Sequence, residues 1–193
     1  FIVHSRQDEE SLRRLLPEAR IQRTVHPTYE VFRRVEISQT EARQQLGATG
    51  DMLLFFGFVR PYKGLEHLLA AMPLVLAARD VHLWVVGEFW QNEARYRQQI
   101  KSLGLESHVH VVNRYISNEE VGIYFAAADA VVLPYISGTG SGIAQIAFGY
   151  ERPIVATRVG DLPDIVADGQ TGWLVPPADP PAGDLLVPAP ARA

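Results

Sequence analysis

Apolar and polar positions alternate along this chain with two different periods. Met52-Leu53-Leu54-Phe55-Phe56 is an unbroken apolar run with no polar face, as expected of a strand covered on both sides. Leu65, Leu68, Leu69, Met72, Val75 and Leu76 then recur at helical spacing, so one face of a helix should lie on that strand. The alternation continues. Val81 to Val86 reads as a strand ending at Gly87-Glu88, Glu93 to Leu103 as a charged helix closed by Gly104, and His108 to Val112 as a strand. Asn118 is expected to cap a helix that runs to Ala127 and turns Val121, Tyr124, Phe125 and Ala128 inward. Ala130 to Leu133 is another buried strand, stopped by Pro134. The turn Ser137-Gly138-Thr139-Gly140-Ser141-Gly142 then leads into a helix carrying Ile143, Ile146 and Ala147. Pro153 to Thr157 and Thr171 to Val175 read as the last strands, with a short helix, Leu162 to Ala167, between them.

Strands alternating with helices predict an α/β fold: a Rossmann-like parallel sheet with helices on both faces and ligands at the carboxyl ends of the strands. The first fifty residues do not share this pattern. Phe1 to His4 and Ile21 to Val25 read as short strands around a helix capped by Ser5, and Val31 to Ser38 has no clear period. Thr40 to Leu46 reads as a polar helix closed by Gly47. These elements can bury little area by themselves. Residues 1–50 are therefore expected to be the trailing edge of a preceding domain and a linker, and residues 51–177 the main domain. Residues 178–193 are rich in proline and alanine and are expected to be extended or disordered.

Composition narrows the classes. The 193 residues are 47% hydrophobic and 21% charged, with a formal net charge of −4, which fits a globular protein and argues against a general nucleic-acid binder. No cysteine is present, so disulfide and cysteine–zinc scaffolds are excluded. No apolar run approaches the roughly 20 residues that span a bilayer, and the start lacks a signal peptide's basic region and apolar core. It also lacks an initiator methionine, so the chain is expected to begin inside a larger protein.

Four candidate segments follow predicted strands and should gather at one crevice: Gly57 to Lys63, Gly87-Glu88, Asn113 to Ser117 and Ser137 to Gly142. Unpaired N–H groups at a helix start, approached through glycines, suit an anion, although such a turn is equally a tight connection that binds nothing. Arg60 and Lys63 share one post-strand turn. Either alone could be a solvated surface charge; together they suit a diphosphate, the guanidinium as a fork and the ammonium as a point charge. His108 and His110 would share a strand face without an obvious third metal ligand. Asp161 and Asp164 flank Pro163 at a helix start, where capping is the expected role.

The stretches LLFFGFVRPYKGLEHLL, VVGEFW, VNRYISNEEVGIYFAAADAVVLPY and RPIVATRVGDLPDIVADGQTGWLVPP together resemble the C-terminal, donor-binding half of a GT-B glycosyltransferase of family GT4. The resemblance covers residues 51 to 177. It implies a retaining hexosyltransferase-like enzyme with a nucleotide diphosphate sugar as donor, no metal, and an acceptor that is a glycan, a lipid or a small molecule. The acceptor-binding N-terminal domain would be missing, leaving this chain incomplete for turnover. Arg60 and Lys63 would be the catalytic pair, holding the diphosphate and stabilising the leaving group. Gly57, Ser141, Gly142 and Ile143 would line the donor, the last three through backbone N–H groups. Asn113 to Ile116 falls where such enzymes seat the nucleobase, mostly by backbone contacts; the Tyr115 ring is a further candidate to stack on it, and Glu88 borders the donor or is simply solvated.

This sequence also departs from the family. Members commonly carry two glutamates in positions that fall here on Gly138 and Ile146, one for the donor sugar and one for the ribose. Gln145 could offer an amide instead, although a neighbour along a helix is rotated by about 100°. Glu151 stands where a glycine is usual. A truncated, non-catalytic nucleotide-binding or interaction module is the alternative reading. The expected location is the cytoplasm, with peripheral attachment to the inner membrane open for the intact enzyme.

Overall fold

The computed structural model describes residues 1–24, 26–29, 32 and 36–178. A parallel pair, β1 (Ile2–Val3) and β2 (Gln22–Arg23), flanks helix α1 (Arg6–Leu15), and α2 (Gln39–Leu46) precedes the main sheet. The sheet itself is built from β3 (Asp51–Phe56), β4 (Val81–Val86), β5 (Val109–Val112), β6 (Ala130–Leu133), β7 (Ile154–Thr157) and β8 (Gly172–Val175). Its crossovers are α3 (Leu65–Ala78), α4 (Glu93–Ser102), α5 (Asn118–Ala127), α6 (Gly142–Gly149) and the single turn α7 (Leu162–Ile165). All six strands run parallel, in the order β5-β4-β3-β6-β7-β8. The chain thus winds outward from β3 in one direction and from β6 in the other. The β3/β6 boundary is the switch point, where connections diverge and a crevice opens at the strands' carboxyl ends.

Alternation along β3 explains its unbroken apolar run. Met52, Leu54 and Phe56 enter one core with residues of α2, α5, α6 and α7, while Leu53 and Phe55 enter a second core with α3 and α4. Both faces are covered, so every position from Met52 to Phe56 is apolar, and only the half-buried first residue, Asp51, is charged.

The caps refine the sequence reading. Ser5 caps α1 as expected, its side chain accepting from the Asp8 amide, and Gly47 closes α2 in the left-handed region. Asn118 does not cap α5. Ser117 does, in a capping box with Glu120, because a carboxylate three positions after the cap can return a bond to the cap's own N–H. The same device starts α2 at Ser38 and Glu41. Helix α6 ends at Gly149, and Glu151 adopts a left-handed φ of 56°. Most of the proline-rich tail, 179–193, lies outside the described residues, as do Val25 and most of residues 30–35.

Candidate functional site

The loops that leave β3, β4 and β6 are fastened to one another. The Val59 N–H donates to the Glu88 carbonyl at 2.9 Å, and the Ile136 N–H donates to the Tyr62 carbonyl at 2.8 Å. Gly64, at φ 71°, faces the Pro134 carbonyl so closely that a Cβ would collide with it. Gly87 meets the Gly57 carbonyl in the same way, at φ 138°. These glycines let two pairs of loops touch through backbone alone.

A crevice of about 240 Å³ results, walled by Phe56, Gly57, Phe58, Lys63, Gly87, Glu88, Arg114, Tyr115, Ile116, Ile143 and Ile146, among others. Five of the expected site residues meet there: Gly57, Lys63, Glu88, Tyr115 and Ile143. A larger hollow, about 350 Å³, is lined by Glu36, Ile37, Ser38, Ala126 and residues 150–152, away from the carboxyl ends of the strands.

Lys63 is the central cation. The residue is 7% exposed, and its Nζ donates to the Phe56 carbonyl at 3.4 Å and stands 5.8 Å from the centre of the Tyr135 ring. Burial, with a smaller push from Arg60, lowers its pKa to about 8. Arg60 sits just outside the crevice wall. Its guanidinium carbon lies 3.8 Å over the Trp90 ring, and its buried Nε has no hydrogen-bond partner. Trp90 also meets Phe58 edge-on, leaving an aromatic rim that is 41–57% exposed.

Other expected residues serve the loops. Ser141 caps α6, accepting from the Ala144 N–H and pairing with the Tyr135 hydroxyl at 3.1 Å. Asn113 accepts from the Phe89 N–H and donates to Glu93, which fixes the loop after β4 rather than aiming the amide at the crevice. Gln145 is buried, and its carbonyl accepts from the Tyr29 N–H. Ile146 lines the crevice in its place. The ring of Tyr29 packs on Gly142, where a Cβ would come within 3.2 Å of it.

Two residues take roles that the sequence did not assign to them. Arg114 forms a forked pair with Glu120, which holds that carboxyl down to about pKa 2, and it also donates to the Tyr115 carbonyl at 3.2 Å. Its place after β5 was a signal, since it lies inside the segment expected to seat a base. Asp161 was expected to cap α7 but makes no such bond, and Asp164 pairs with Arg6 instead. The Asp161 carboxylate lies under the glycine-rich turn, where burial raises its pKa while the N–H groups of Ser141 and Asp161 itself pull it back. Among the described residues, no group of three or more His, Asp or Glu is arranged to hold a metal ion.

Over residues 50–183 the sequence matches the family described as glycosyl transferases group 1. This chain belongs to the group 1 glycosyl transferases. It is similar to the MMP alpha-(1->4)-mannosyltransferase of Mycolicibacterium hassiacum, at 36% identity over 62% of this chain and 29% of the relative. A D-inositol 3-phosphate glycosyltransferase of Streptomyces avermitilis is 31% identical over 82% of this chain and 36% of its own length. Among solved structures, a sucrose-phosphate synthase from Thermosynechococcus elongatus superposes with a TM-score of 0.80 at 26% identity, over 96% of this chain and 47% of that one. The chain thus spans about a third of these curated relatives and about half of that structure. The expected family and the α/β, GT-B-type donor domain are both met. No helix of the described group 1 domain is long and apolar enough to cross a membrane.

Proposed function

We propose that residues 51–177 are the donor-binding half of a retaining glycosyltransferase. The intact enzyme takes a nucleoside diphosphate sugar and transfers the sugar to an acceptor hydroxyl, releasing the nucleoside diphosphate. Residues 1–50 are the end of the acceptor-binding domain and the linker. The observation that carries this reading is Lys63. Among the described residues no carboxylate pairs with this buried ammonium, which is costly, and a diphosphate in the adjoining crevice removes that cost.

The donor's parts follow the strand order. The base and ribose lie over the loops of β4 and β5, with Tyr115 beside the base; at about 240 Å³ the crevice suits this part of the ligand, below the roughly 300–1,000 Å³ of whole-ligand pockets. The diphosphate reaches Lys63 and the N–H groups of Gly142 and Ile143. Arg60 slides off Trp90 to add its fork. As the bond from the anomeric carbon to the phosphate oxygen breaks, negative charge grows on the departing diphosphate, and these cations and the α6 N-terminus stabilise it without needing a metal.

Calorimetric titration with UDP, GDP and ADP tests this reading. One of the three should bind, and Arg60→Ala and Lys63→Ala should each weaken it by about 1.5–3 kcal/mol. A folded chain that binds none of them removes the proposal. A non-catalytic module remains the second reading, favoured by the apolar Ile146 in the crevice wall where family members present a glutamate. Full turnover by the chain joined to an acceptor-binding domain would dismiss it.

A further inference from the structure

The Asp161 carboxylate accepts from the N–H groups of Ser141 and of Asp161 itself, yet among the described residues it neither caps a helix nor pairs with a cation. Its residue is 4% exposed, and its Oδ1 is buried with no hydrogen-bond partner. The preceding Gly160, at φ 60°, packs against the Gly138 carbonyl, which tucks Asp161 against the glycine-rich turn. A Cβ on Gly140 would stand 3.2 Å from Oδ2. Asp8 and Asp164 add negative charge nearby and cannot donate to it when ionised.

The sheet order gives this carboxylate a direction. Strand β6 lies between β3 and β7, so the turn that starts α6 has the β3 loop on one side and the β7 loop on the other. The first carries Lys63 and the second carries Asp161. An ionised carboxylate only accepts hydrogen bonds, so it repels a phosphate and calls for a donor such as a hydroxyl. A cation on one flank and an acid on the other therefore orient an asymmetric ligand, its diphosphate toward Lys63 and its hydroxyl-rich end toward Asp161. The turn itself bears no acid, with glycine at 138 and 140.

We propose that Asp161 reads the donor's sugar, its carboxylate accepting a hydroxyl of the hexose beside the start of α6. This deepens the donor-site reading and rests on it. Residues 136–140 above the carboxylate are exposed, and the glycines give that turn the freedom to lift as the sugar enters. The acid is thus supplied from the neighbouring loop.

The test compares each nucleoside diphosphate with its glucose, galactose, mannose and N-acetylglucosamine esters on the full chain and on Asp161→Asn and Asp161→Ala. In the unsubstituted chain one ester should bind more tightly than its parent diphosphate. Both substitutions should weaken that ester by about 10- to 100-fold while leaving the diphosphate within about twofold. Parallel weakening of ester and diphosphate would mean that Asp161 only supports the turn, and would overturn the proposal. So would an unsubstituted chain that binds no ester better than its diphosphate, or an ester unaffected by either change. Tighter diphosphate binding in the variants, with no loss for the ester, would make Asp161 a mere competitor for the helix start. Asp161→Asn keeps the side-chain shape, and a thermal melt confirms that it is folded. Should the unsubstituted chain bind no diphosphate at all, the donor-site reading itself fails and takes this one with it; binding that Lys63→Ala weakens but Asp161→Asn leaves untouched sinks this one alone.

Discussion

Lys63 titrates near physiological pH, and ligand binding should move that titration. Its pKa is about 8 in the free protein, against 10.5 for an unperturbed lysine, because burial strips water from the ammonium. A diphosphate beside it favours the charged form and should return the pKa to about 10.4. The sign follows from the order of these values. Between them the complex holds a proton that the free protein lacks, so binding takes up a proton and weakens as pH rises. At pH 9 the free lysine is about one-tenth protonated and the bound one almost fully, giving an uptake of about 0.9 proton. Apparent affinity should fall about tenfold between pH 7 and pH 9, or about 1.4 kcal/mol. Both pH values lie above the second ionisation of a phosphate, near 6, which therefore contributes little. Calorimetry in two buffers of different ionisation enthalpy measures the uptake directly, and Lys63→Gln should abolish it. Uptake near zero with a flat affinity profile would show that the diphosphate does not meet Lys63, and would refute the reasoning.

Other consequences reach beyond the crevice. Gly64→Ala should destabilise the fold by about 3 kcal/mol in a denaturant titration, since its φ is 71° and the new methyl would strike the Pro134 carbonyl. Ser117→Ala should cost about 1 kcal/mol and Asn118→Ala less than about 0.5 kcal/mol, because the capping bonds belong to Ser117; equal losses would contradict that assignment. Acid should weaken the protein through His110 on β5, whose Nε2 lies 3.1 Å from Nδ1 of His82 on β4, with the His108 ring stacked on His82. Burial, then His82 and His108, lower the His110 pKa below 6.5, so the unfolded chain binds more protons there and stability is lost as pH falls below 6.5. The slope cannot exceed about 1.4 kcal/mol per pH unit for this one group, and His110→Gln should flatten it in melts between pH 7 and pH 5.

The main sheet was legible because its strands are covered on both faces, which forces unbroken apolar runs such as Met52–Phe56, and because helices must show one apolar face. The crevice was legible for a related reason: parallel strands bring their carboxyl ends together, so Lys63, Glu88, Tyr115 and Ile143 could be placed before any coordinate. Strand order is not legible in the pattern, since it depends on which way each crossover returns. Ser117 and Asn118 are equally good capping types, and only Glu120, three residues after Ser117, distinguishes them through the capping box. Asp161 could not be placed from sequence spacing. Its position depends on Gly160 packing against Gly138 from another loop, a contact that leaves no periodic trace. Phe32 belongs to the segment without period and Tyr29 precedes it, yet Tyr29 folds onto Gly142 and Phe32 lines the crevice.

A crystal structure with the tightest-binding nucleoside diphosphate tests the central claim most directly. The account predicts both phosphates within hydrogen-bond reach of Lys63 Nζ and the Gly142 and Ile143 N–H groups, the Arg60 guanidinium moved from Trp90, and the base beside Tyr115. A nucleotide seated instead in the hollow beside Glu36 and Arg152, with Lys63 still turned to the Phe56 carbonyl, would contradict it.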